Sequence, residues 1–137
     1  MGEARAMIKL TNATDHALYR RGQLTEDAIR IYQADALIDT GAVQCCIPQF
    51  VADQLGLDRV GHRTAQYADG CLEQVDLTDG IIIEISGRRT LEEALVLGDE
   101  VIIGQTVLEK LDLRVDCRER RITPNPAHPD QPISKIK

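Results

Sequence analysis

Three features of this 137-residue sequence predict a mostly β domain built from two related halves. Short apolar runs, alternating or continuous, recur along the chain and are each stopped by a glycine or a polar turn. Two of these runs flank Asp69-Gly70, the strongest short hairpin signal, since both central positions of a type I′ turn need positive φ. The third feature is an echo. Ala36-Leu37-Ile38 runs into a glycine turn and then a helix ending in Leu55-Gly56-Leu57. Val101-Ile102-Ile103 runs into Gly104 and a helix ending in Leu111-Asp112-Leu113. Strand, glycine, helix occurs twice, so the two halves are expected to meet at the two turns.

Taken in order, residues 6–12 alternate as a first strand, with Ile8 and Leu10 on one face. A polar stretch follows through Gly22. Residues 28–38 read as a long strand with a change of phase: Ile29 and Ile31 share one parity, and Ala34, Ala36 and Ile38 the other. A bulge or bend near Tyr32-Gln33 would account for it. Val43 to Ile47 form a short apolar segment. Pro48 suits a helix start, Phe50, Val51 and Leu55 share a helical face, and Gly56 is a stop, which gives a helix over 49–55.

Strands are expected over 63–68 and 71–78, on either side of Asp69-Gly70. Ile81, Ile83 and Ile85 share a face, Gly87 marks a turn, and Leu91, Leu95 and Leu97 share a phase. Val101-Ile102-Ile103 suits a strand buried on both faces, and Val107, Leu108 and Leu111 then sit at helical spacing. Residues 113–117 and 121–124 form a last hairpin around Arg118-Glu119-Arg120. Four prolines between Pro124 and Pro132 break any ladder, so that stretch is expected to be extended or mobile. The division is a domain over 1–126 and a Pro-rich tail over 127–137.

Composition narrows the function. An apolar content of 43% with 28% charged residues belongs to a folded globular chain rather than a disordered one. A net charge of -6 and a pI near 5.0 argue against nucleic acid as the main partner, because phosphate binding needs a basic face. The basic clusters Arg20-Arg21 and Arg118–Arg121 read as solvated turns. No apolar run approaches the roughly 18 residues of a membrane span, so no membrane partner is expected. The start, Met1-Gly2-Glu3-Ala4-Arg5, lacks the apolar core of a secretion signal, and the expected compartment is the cytoplasm.

Cys45, Cys46, Cys71 and Cys117 form no C-x-x-C pair, and His16, His62 and His128 are scattered. Neighbours on a strand point to opposite faces, so Cys45 and Cys46 are poorly placed to share a ligand. No metal and no cofactor is expected, and the cysteines read as small buried hydrophobes. The residue that asks for an explanation is Asp39. An apolar strand carries its carboxylate into a tight turn of small residues, and burying a charge there is costly unless it is paired or neutralised. An ordinary turn aspartate remains the simpler alternative.

The stretch Ala36-Leu37-Ile38-Asp39-Thr40-Gly41-Ala42, the hairpin at Ala68-Asp69-Gly70, and Val101-Ile102-Ile103-Gly104 with its helix through Leu113 resemble the retropepsin-like aspartic proteases. These are the single-domain retroviral-type branch, and the similarity spans roughly residues 6–126 in order and spacing. The resemblance implies a closed acid-protease barrel, mostly β, with two short helices and a ψ-shaped crossing of loops. It also implies an obligate homodimer with Asp39 at its axis and a hairpin closing over a peptide cleft. By the same resemblance Thr40 would hydrogen-bond across the axis, and Gly41 and Ala42 would admit substrate backbone. Tyr67, Ala68, Asp69 and Gly70 would form the flap, and Gly104 would support the turn from the opposite half. The segment Val43-Gln44-Cys45-Cys46-Ile47 and the charge at Asp69 depart from the family's bulkier aliphatics and apolar flap tip.

The chemistry requires a pair independently. Two carboxylates about 3 Å apart cannot both ionise, so one keeps a proton while the other stays charged. The ionised partner can take a proton from water while the neutral one hydrogen-bonds the scissile carbonyl oxygen. This chain has no second Asp-Thr-Gly or Asp-Ser-Gly, and Thr78-Asp79-Gly80 has the wrong order. A two-fold axis would have to supply a second Asp39. The expected function is therefore a homodimeric aspartic endopeptidase acting on a peptide or protein. The alternative is a non-catalytic module of the same fold that dimerises or grips an extended peptide by strand addition. A serine hydrolase finds little support, since Ser86 and Ser134 are the only serines and neither lies in G-x-S-x-G. A thiol enzyme would need Cys45, Cys46 or Cys71 beside a histidine.

Overall fold

The computed structural model describes residues 3–136. Strand β1 (Ala4–Asn12) leads into helix α1 (Ala13–Arg20), and a 3₁₀ turn at Glu26–Ala28 precedes β2 (Ile31–Ile38). There follow β3 (Cys46–Ile47), α2 (Gln49–Gln54), β4 (Arg59–Gln66), β5 (Leu72–Thr78), β6 (Ile81–Ile85) and β7 (Arg88–Glu92). The chain continues through β8 (Leu95–Val96), β9 (Ile102–Ile103), α3 (Gln105–Leu111), β10 (Leu113–Asp116) and β11 (Arg121–Pro124). Nine strands form one curled sheet in the order β4-β5-β8-β3-β9-β2-β1-β6-β7, and β10 pairs with β11 separately. Its outermost strands β4 and β7 are not paired with each other among the described residues, so the single chain makes an open half-barrel rather than the expected closed one.

The core follows from strand alternation. Ile8 and Leu10 of β1, Ala34, Ala36 and Ile38 of β2, and Ile81, Ile83 and Ile85 of β6 all face inward. Val51 of α2, Leu55 just after it, and Val107, Leu108 and Leu111 of α3 join them in one cluster. Phe50, expected on the same face of α2, is half exposed. A smaller cluster of Cys46, Val75, Leu77 and Leu95 lies beneath β4 and β5. Leu91 stands out in solvent on β7, while Leu95 is buried on β8.

β9 lies between β2 and β3, parallel to the first and antiparallel to the second. Since β2 and β3 are consecutive, the chain forms a ψ, with the Asp39 turn arching over β9. The echo of the two halves is therefore looser than expected: β9 passes through Gly104 directly into α3, whereas β3 intervenes between the Asp39 turn and α2.

Three expectations are corrected. The polar stretch after residue 12 holds α1, giving three α-helices rather than two. Asn12 caps it by accepting from the Asp15 amide at 3.0 Å, and Asp15 pairs bidentately with Arg30 at 2.8 and 3.0 Å. β2 has no bulge, because Ile31 lies at its exposed start and the register with β1 runs without a shift. Finally, the Asp69-Gly70 hairpin is not a two-residue type I′ turn. The Gly70 amide bonds the Tyr67 carbonyl, the Tyr67 amide bonds the Cys71 carbonyl, and only Gly70 has positive φ, at 88°. This is a three-residue loop closed by a glycine bulge. The type I′ geometry occurs instead at Ser86-Gly87, with φ of 53° and 77°.

The prolines do not set residues 125–133 loose. Asp112, left-handed at the end of α3, accepts from Asn125 Nδ2 at 2.9 Å and from the Ile133 amide at 3.1 Å. Its other contact is His128 Nδ1 at 2.6 Å. The buried Arg88 guanidinium donates to the carbonyls of Leu111, Asp112 and His128 at 2.9–3.0 Å, binding β7, α3 and this strap together. A cation suits the last carbonyls of a helix, which have no partner within it.

These bonds predict two outcomes. Arg88→Ala strands the carbonyl oxygens of Leu111 and His128, while that of Asp112 still accepts from the Asn125 amide, and should cost about 2–3 kcal/mol, read from the urea midpoint, with Arg88→Lys in between. Asp112 is held down at about 2 by Asn125 first, then by the Ile133 amide and His128, against a normal carboxylate near 4 in the unfolded chain. Its stabilising contribution is therefore full above pH 4 and lost as pH falls from about 4 to about 2. Thermal midpoints measured down that range should drop less steeply in Asp112→Asn than in the parent.

Candidate active site

β2 carries Asp39 to its position through the ψ. The Leu37 amide donates to the Val101 carbonyl at 2.9 Å, and the Asp39 amide to the Ile103 carbonyl at 3.0 Å. The Ala42 amide closes the turn onto the Asp39 carbonyl at 3.1 Å. Asp39 Oδ1 accepts from the Gly41 amide at 2.9 Å, while Oδ2 has no hydrogen bond among the described residues. One oxygen is thus fixed and the other is open. Contrary to the expectation of a buried charge, the Asp39 side chain is exposed in the single chain, as is Thr40, whose hydroxyl makes no hydrogen bond among the described residues.

The second half grips this turn from behind. The first amides of α3, those of Gln105 and Thr106, donate to the carbonyls of Ala42 and Val43 at 2.8 and 3.1 Å. Those amides are the donors a helix leaves unsatisfied, so both sides gain. The approach needs a glycine at Gly104: a β-carbon there would lie 2.7–2.8 Å from the carbonyl oxygens of Ala42, Val43 and Gln44. At Gly41 a β-carbon would come 3.1 Å from Asp39 Oδ1.

A pocket of about 550 Å³ opens beside Asp39 and Thr40. Its wall includes Glu3 and Ala4 from the chain start, and Val115, Cys117, Arg118 and Arg120 from the last hairpin. The Arg118–Arg121 cluster is therefore not only a solvated turn. Alternating sign and the turn context hid this, since nothing local in the sequence tells which pocket a hairpin tip will border.

The structure brings Asp39, Thr40, Gly41, Ala42 and Gly104 together. Tyr67, Ala68, Asp69 and Gly70 lie apart at the tip of the β4–β5 hairpin, and no hydrogen bond joins them to the Asp39 turn among the described residues. The charge at Asp69 is used locally: its Oδ1 accepts from the Cys71 amide at 2.9 Å, which holds the carboxyl below its usual range. Tyr67 donates to Glu73, and that bond raises its phenol. Cys45 and Cys46 point to opposite sides, into the main core and the smaller cluster respectively. Burial pushes the Cys45 thiol up to about 12. Burial first, then the charge on Asp39, raises Cys46. Neither is an activated nucleophile.

No family model matches the sequence, and no curated protein matches it. Solved structures do. EIAV protease complexed with the inhibitor HBY-793 is similar with a TM-score of 0.56 at 17% identity, over 79% of this chain and 86% of that one. The retroviral protease-like domain of Ddi1 from Leishmania major is similar with a TM-score of 0.56 at 13% identity, over 98% of this chain and 92% of that one. The chain has a retropepsin-like fold.

The close approach at Gly104 sets an expectation. Gly104→Ala must push the helix and the turn apart, and overpacking of this kind should cost about 2–3 kcal/mol. Amide exchange at Gln105 and Thr106 should accelerate more than at the centre of β6 if the strain is local.

Proposed function

We propose that two copies of this chain form an aspartic endopeptidase, with water activated between Asp39 and the Asp39 of a second copy. The observation that carries the reading is the state of Asp39 itself. Its carboxylate is aimed by a rigid turn, has one oxygen free, and opens onto a pocket in a retropepsin-like fold that contains only one such aspartate. The Thr40 hydroxyl, unused within its own chain, is available to bond across the axis and hold the two turns in register. Gly41 and Ala42 leave room for substrate backbone. The β4–β5 hairpin, anchored at its base and free at its tip, would close over a bound peptide and exclude water.

In this mechanism one carboxylate of the pair is ionised and the other neutral. The ionised one accepts a proton from the attacking water, and the neutral one donates a hydrogen bond to the scissile carbonyl oxygen. The tetrahedral intermediate then collapses as a proton passes to the leaving amine. A single chain has only one of these groups, so activity should rise with dimer formation.

A second reading is supported by the edge position of β4, whose outer side is unpaired among the described residues. Such an edge could hold an extended peptide by strand addition without cutting it. A peptide library separates the two. Proteolysis predicts cut products, a bell-shaped rate profile on the acidic side of neutrality, and a loss of about 10³-fold or more in Asp39→Asn with pairing retained. Unchanged turnover by Asp39→Asn would refute the dyad, and capture without products would favour the binding module.

A further inference from the structure

The outer face of the sheet carries a second pocket, remote from Asp39. It measures about 450 Å³, a size typical of small-molecule sites. Ile31 lines it and Ile38 precedes Asp39, so the two sites stand at opposite ends of β2. Strand register sets the floor: Ile31, Thr11 and Ile82 lie side by side on β2, β1 and β6. Lys9, Glu84 and Arg89 form the next row, across β1, β6 and β7. One wall is α1, which supplies His16 and Tyr19, and the other is the 3₁₀ turn, with Glu26 and Asp27. These walls are tied together. Asp15, next to His16, accepts from the amide and guanidinium of Arg30 at 2.8–3.0 Å, and Arg30 directly follows Ile29 in the pocket lining. The end of α1 is closed by the Gly22 and Gln23 amides, which donate to the Tyr19 and Leu18 carbonyls at 3.0 and 2.9 Å. The pocket is thus formed before any ligand arrives, which lowers the cost of binding.

Its charged side chains are idle. Lys9, Glu84 and Arg89 make no ion pair or side-chain hydrogen bond among the described residues, whereas Arg30 and Arg88 are both bonded. We propose that this pocket binds a small organic monoanion, a single carboxylate on a compact apolar body. Lys9 and Arg89 hold the carboxylate by charge-assisted hydrogen bonds. Ile31, Ile82 and the Tyr19 ring cover the apolar end and remove it from water. Glu26 and Asp27, on the wall beside Ile31, repel a second negative charge there. Glu84 lies between the two cations in the register and opposes binding in part. Positive charge nevertheless prevails at His16: burial first, then Arg89, Arg20 and Lys9, hold its imidazole below the usual histidine range. This site does not depend on whether the Asp39 turn cleaves peptides.

The test is an NMR titration of the full chain with phenylacetate and isovalerate, set against neutral phenylacetamide and the dianion phenylsuccinate. Both monocarboxylates should give saturable shifts centred on Thr11, His16, Tyr19 and Ile82. The amide and the dianion should bind at least tenfold more weakly. The His16 titration should move up in the complex, because a nearby negative charge favours the imidazolium. Lys9→Gln combined with Arg89→Gln should weaken phenylacetate at least tenfold, and Glu84→Gln should tighten it severalfold. Neither change should move the thermal midpoint, since these side chains have no partners within the chain to lose. Absence of saturable shifts with both monocarboxylates at tens of millimolar overturns the proposal. So does phenylacetamide binding as tightly as phenylacetate, or a double variant that binds phenylacetate like the parent.

Discussion

Three carbonyl oxygens, those of Ala42, Val43 and Gln44, occupy the space a β-carbon would need at Gly104, and most of the candidate site's geometry depends on that close approach. A loop that arches over a sheet leaves its carbonyls without ladder partners, and a helix start leaves its amides without acceptors. Bringing the two together satisfies Ala42 and Val43 with no side chain involved. The contact fixes where α3 begins, so Val107, Leu108 and Leu111 reach the core. It also fixes the turn from which Asp39 projects, and the remaining support comes from Ile103 through the Asp39 amide.

The two turns that build the candidate site are legible in the sequence because their signals are local. An apolar run ending in Asp39-Thr40-Gly41, and a second ending in Gly104, each need only their neighbours to be recognised. The helices α2 and α3 were readable for the same reason, by apolar spacing and a glycine or proline boundary. What escaped depended on contacts far along the chain. α1 has few apolar positions and is held by the Asn12 cap, a signal local to the sequence, and by the Asp15–Arg30 pair, which is not. The change of phase before β2 has no bulge behind it, because Ile29 lies outside the strand and Ile31 stands exposed at its start. The prolines exclude a ladder beyond Pro124, as expected, but what holds that stretch, Asp112 and Arg88, lies far from it in the sequence.

Charge is used sparingly but structurally in this domain. Asp15 is buried and pairs with the half-exposed guanidinium of Arg30, whose hydrogen bonds hold its carboxyl below the usual range. Arg88 is similarly buried, yet its charge is stabilised by carbonyl dipoles rather than by a carboxylate among the described residues. Asp39 is the contrasting case: it stands in solvent, one oxygen committed and one idle. The interior charges have found their partners within the chain, and the aspartate at the turn has not.

Arg88 has a further consequence for how the molecule is made. Its three acceptors lie 23, 24 and 40 residues later in the sequence. The first two acceptors come with the end of α3, but the third is supplied only by the strap, so Arg88 has its full set of partners only once residue 128 is in the chain. A chain cut between Asp112 and His128 would keep this guanidinium partly hydrated, and the corner where β7, α3 and the strap meet would stay accessible to water.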